Sequence, residues 1–151
     1  MSTRVLLPVL LLTAVAVAGC GGDPPNIKLT QEPAGELMAA TLDSEWLDRL
    51  VAWTRDAAQE RLDGSYAANG VPPEGRTATA RVEGRFIDVA GERLALIDLA
   101  YSGSPVRVTR VVGLRDGLRV TVSCTAPDGR PFDVTDPSDD CGRKVAEVFA
   151  D

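Results

Sequence analysis

Between Ser44 and Leu62 the apolar residues of this chain recur in steps of three and four, and from Thr77 onward they recur in steps of two. Helical steps line one face of a helix, and alternation lines one face of a strand. One chain carrying both in separate blocks is expected to be α+β, with helices packed on an antiparallel sheet. In the first block Trp46, Leu50, Trp53 and Ala57 follow helical spacing, and Leu47, Val51, Ala58 and Leu62 widen the stripe. Asp43 or Ser44 can cap its free amides, Glu45 suits the positive end of the dipole, and Gly64 suits its C-terminus. The two tryptophans read either as core anchors or as the wall of a ligand groove.

The second block reads as about four strands. Val82, Phe86, Ile87 and Val89 mark the first, and Ala90-Gly91 is a turn signal. Leu94–Tyr101 is nearly continuous in apolar residues and reads as a central strand. Ser102-Gly103-Ser104-Pro105 is the next turn, and Val106–Leu114 a further strand. Asp116-Gly117 is a short-hairpin signal, because both residue types tolerate positive φ. Leu118–Cys124 follows, with Val120, Val122 and Cys124 on one face. Hairpin-linked strands in this order make an antiparallel meander. An amphipathic helix before it and a short one after it are expected on one face, the other being solvated.

The closing helix is expected to begin near Cys141, capped by Ser138, Asp139 or Asp140, with Val145, Val148 and Phe149 on its apolar face. Cys124 ends a strand facing the core, and Cys141 opens a helix facing the same core. A Cys124–Cys141 disulfide is therefore expected, provided the chain reaches an oxidising compartment.

The N-terminus supplies that condition. Met1–Arg4 carries one positive charge, and Val5–Ala18 is an uncharged apolar run of about 14 residues, too short for the roughly 20 of a spanning helix. It ends in Val17-Ala18-Gly19-Cys20, which resembles the lipobox of bacterial lipoproteins. The resemblance implies a diacylglyceryl group, with palmitate-type chains, on the Cys20 sulfur, and cleavage just before it. Residues 1–19 are then signal peptide, 20–42 a lipidated tether and 43–151 the α+β domain. The protein would be lipid-anchored and extracytoplasmic on the cell membrane or outer membrane. Within the tether, Gly21-Gly22 is flexible and Pro24-Pro25 stiff. Ile27–Thr30 reads as a short edge strand, and Glu36–Leu42 as a helical turn.

The chain has 151 residues, 16 basic and 22 acidic side chains, and no histidine. Removing residues 1–19 takes away only Arg4, leaving a net charge of −7 against −6 for the whole chain. An acidic surface argues against nucleic acid and anionic lipid as partners. Lack of histidine removes the commonest general base and transition-metal ligand. No nucleophile elbow, phosphate loop, dinucleotide fingerprint or metalloprotease helix is present. No cofactor and no enzyme activity are expected, a carboxylate-only enzyme being the remaining catalytic option. Asp128, Asp133, Asp136, Asp139 and Asp140 read as calcium ligands or, more simply, as a capped and solvated loop. Arg107, Arg110, Arg115 and Arg119 surround one hairpin and read as anion ligands or as ordinary solvated charges.

The helix Glu45–Leu62, the segments Phe86–Leu94 and Val111–Gly117, and the closing helix Val145–Phe149 together resemble the PsbP-like group that includes the DcrB-type lipoproteins. That resemblance implies an α+β body and carries no general catalytic motif. A cystatin-like or nuclear-transport-factor-like cone is a second likeness of the same kind. The functional expectation is a non-enzymatic, lipid-anchored binding or accessory protein of the envelope. The alternative is a small-ligand carrier that uses the Trp46/Trp53 face of a concave sheet.

Overall fold

The computed structural model describes residues 25–35 and 42–150. Cys20, the expected signal peptide and most of Glu36–Leu42 lie outside them. The elements are β1 (Asn26–Pro33), α1 (Ser44–Ala68), β2 (Ala80–Val89), β3 (Glu92–Tyr101), β4 (Arg107–Arg115), β5 (Leu118–Ala126) and α2 (Asp140–Phe149), with one 3-10 turn at Pro73–Gly75. The strands form one antiparallel sheet in the order β1-β5-β4-β3-β2. The α+β class and the meander are as the hydrophobic periods require. The sheet has five strands rather than about four. Residues assigned to the tether form a full edge strand, with Asn26 opposite Thr125 and Pro33 opposite Leu118. Residues 26–33 are thus part of the sheet.

Two hairpins close on paired left-handed residues, Ala90-Gly91 (φ 51 and 82) and Asp116-Gly117 (φ 51 and 74). Positive φ at both central positions matches the strand twist. Helix α1 begins where the Asp43 carboxylate accepts the Trp46 amide at 2.9 Å. It runs through Gly64 to Ala68, six residues past the expected end at Leu62. Glycine inside a helix weakens it without ending it. Anchors to the sheet hold the last turns: the Gln59 side-chain oxygen accepts the Ala80 amide, and the Tyr66 hydroxyl accepts the Ala78 amide.

The two helices lie on opposite faces, not on one. Trp46 and Leu50 of α1 pack on Ala95, Ile97 and Val112. Val145 and Phe149 of α2 pack on Leu94, Leu96, Val111, Val120 and Val122. Alternation along β3 and β4 separates these two sets. The unbroken apolar run of β3 is the cause: Leu94, Ala95, Leu96 and Ile97 are all buried, so both faces must be covered. Each helix sits over a strand glycine. A Cβ on Gly84 would come within 2.5 Å of Val51 in α1, and one on Gly113 within 2.7 Å of Phe149 in α2. Among the described residues no helix is long and apolar enough to cross a membrane.

Candidate functional site: a half-covered sheet face

Helix α1 lies mainly over β2 and β3, reaches Val112 of β4, and leaves the rest of the β4, β5 and β1 half of the same face uncovered. A groove of about 450 Å³ occupies that half. Strand register lays out its floor. Gly84, Ile97, Arg110, Ser123 and Lys28 form one row across the five strands. Flanking rows end in Val112, Thr121 and Thr30 on one side, and in Val108, Thr125 and Asn26 on the other. The floor is thus apolar beneath the helix and hydroxylic towards the β1 edge.

Arg110 stands at that boundary. Among the described residues its side chain has no hydrogen-bond or ion-pair partner. Burial, and then the nearby charge of Arg61, pull its pKa below the ordinary arginine value; Tyr101 acts the other way, and Arg119 adds to the lowering. A guanidinium remains charged through any such shift. Arg61, Arg119 and Lys28 also line the groove, and Glu32 is its one lining carboxylate among the described residues. Arg119 is occupied: it pairs with Glu32, and its guanidinium carbon lies 4.5 Å from the Trp53 ring centroid.

The expected Trp46/Trp53 face divides. Trp46 is fully buried, with its ring 6.4 Å from Phe86, and does not line the groove. Trp53 is 48 % exposed and forms the groove wall, so it is not a core anchor. Thr54 takes the inward position instead, its hydroxyl donating to the Leu50 carbonyl at 2.7 Å. That bond lets a polar residue occupy the buried row of Trp46, Leu50 and Ala58.

The four hairpin arginines also divide by parity. Arg107 pairs with Asp98 at 3.8 Å on the α2 face. Arg115, on that face too, holds Glu92 at 2.7 Å and donates to the Val148 and Phe149 carbonyls at 2.9 and 2.8 Å, closing the end of α2. Arg110 and Arg119 face the groove. The aspartates are local caps. Asp139 accepts from the amides of Cys141, Gly142 and Asp133. Asp133 accepts from Thr135, and Asp136 from Ser138, whose amide holds the Asp136 pKa below 3.8. Among the described residues no cluster of His, Cys, Asp and Glu is arranged to hold a metal. Cys124 and Cys141 stand at disulfide distance, with Cα atoms 6.0 Å apart on the α2 side.

Lys28, Arg61 and Tyr101 were not singled out by the sequence reading. The available signal was the alternation that places Arg110 on the same face as Val108 and Val112. Comparison of the chain with protein-family models, curated proteins and solved structures finds no match.

Proposed function

We propose that this is a non-enzymatic, lipid-anchored, extracytoplasmic binding protein of the cell envelope, carrying a small ligand in the groove beside α1. The observation that carries the reading is the uncovered half-face, where Trp53 and Arg110, unpartnered among the described residues, look into one concavity. Its volume falls within the roughly 300–1,000 Å³ usual for small-molecule sites. A concavity of this kind favours a carrier over a flat docking surface. The lipobox resemblance supports the anchor. Five residues separate Cys20 from β1, so the Asn26 end of β1 would lie within about 20 Å of the bilayer surface.

Two measurements test this. Labelled fatty acid should enter the wild-type protein and not Cys20→Ala, which should accumulate as unprocessed precursor. Processing and membrane fractionation of Cys20→Ala like wild type would remove the anchor. Native mass spectrometry of protein extracted in mild detergent should show a bound small molecule that Trp53→Ala loses. An empty protein, or a molecule held equally by Trp53→Ala, would remove the groove.

A further inference from the structure

We infer that the ligand is a soluble amphiphilic anion, with one phosphate or carboxylate head at Arg110 and an apolar body against the Trp53 ring; this rests on the groove being the binding site. Three observations converge on that chemistry. First, the charge of the groove opposes that of the chain. Among the described residues, four cations, Lys28, Arg61, Arg110 and Arg119, line it against one carboxylate, Glu32, in a protein of net charge −6. Second, Glu32 is consumed by Arg119, so Arg110 and Arg61 have no carboxylate partner among the described residues. A half-buried guanidinium without a counter-charge is electrostatically unfavourable until an anion reaches it. Its planar fork suits the two oxygens of a phosphate or carboxylate. Ser123 on one side of Arg110 in the register row adds a hydroxyl donor. Third, the half-exposed Trp53 ring and the partly exposed Val108 give the groove an apolar wall near Arg110. A purely ionic ligand would leave that wall wet.

A membrane surface is the weaker source of the same head group. Arg110 lies on the floor of a concavity, the rim carries Glu32, and the acidic body repels an anionic bilayer.

The test uses the full-length protein in neutral detergent, with 1-naphthyl phosphate, 1-naphthoate and neutral 1-naphthol as probes read by tryptophan fluorescence. The two anions should bind with similar affinity, and 1-naphthol at least about tenfold more weakly, the loss expected for a charge-assisted pair. Arg110→Gln should bring the anions down to the 1-naphthol level, while Arg107→Gln, on the opposite face, should bind like wild type. If Arg110→Gln fails to fold, the wild-type preference for anion over 1-naphthol decides alone. Equal binding of 1-naphthol and the anions would overturn the anion assignment and leave the groove standing. Absence of binding by all three would overturn both. Vesicles of phosphatidylcholine with and without phosphatidylglycerol, presented to the same protein, separate the sources: response only to phosphatidylglycerol vesicles would replace the soluble ligand by a lipid surface.

Discussion

The two faces of the sheet are built to different ends. The α2 face is closed. Phe149, Val145 and Val134 are buried, both sulfurs are inaccessible, and Arg115 is bonded to a carboxylate and two carbonyls at once. The α1 face is half covered, and its open half keeps a tryptophan exposed and an arginine unpartnered among the described residues. Residues of one type are thus placed differently. Trp46 and Trp53 share a helix, and Arg115 and Arg110 share a strand, yet in each pair one member packs and the other is presented. Strand parity sorts the arginines, and position around one helix sorts the tryptophans.

Breaking each member of these pairs sharpens the contrast. The largest effect is expected for Trp46→Ala, a loss of about 3–5 kcal/mol for a fully buried ring. Trp53→Ala should cost less than about 1 kcal/mol in the same denaturation experiment, because its ring is half exposed. Equal losses would erase the distinction. Opening the Cys124–Cys141 link by Ser at both positions should lose about 3 kcal/mol in the chain-entropy model. Two free thiols titrated on the unfolded, unreduced protein would show that the link does not form.

Gly113→Ala should lose about 1–3 kcal/mol by overpacking, since its Cβ would press on the Phe149 ring at 2.7 Å and on Leu94 at 2.8 Å. A melting temperature equal to wild type would mean that α2 does not seat on that glycine. Gly64→Ala, within the exposed face of α1 and with nothing within 4 Å of the added methyl, should instead gain about 0.5–1 kcal/mol. No gain would argue that the helix does not continue through Gly64 in solution.

Local chemistry made much of this fold legible. The strands of the meander, the Asp116-Gly117 hairpin and the shared burial of Cys124 and Cys141 all follow from alternation and turn residues close in sequence. The unread features are long-range. β1 is exposed along most of its length, so its period is uninformative; its place is set by pairing with β5, more than 80 residues away. Trp53 outranks Thr54 in hydrophobicity, yet the threonine faces inward because a helix can satisfy its hydroxyl. The groove arises only because β1 extends the sheet beyond the width of α1. No segment contains that information alone. The opposite placement of the helices was nearer to hand, because the unbroken apolar run of β3 implied cover on both faces.

The central claim is that ligand meets the open half-face and nothing else. Amide chemical-shift changes in the isotope-labelled full-length protein, titrated with 1-naphthyl phosphate, test it most directly. The account predicts shifts concentrated at Lys28, Trp53, Arg110, Thr121 and Ser123, with Val134, Val145 and Val148 unchanged. Shifts centred on α2 and its preceding loop, or none at saturating probe, would contradict it.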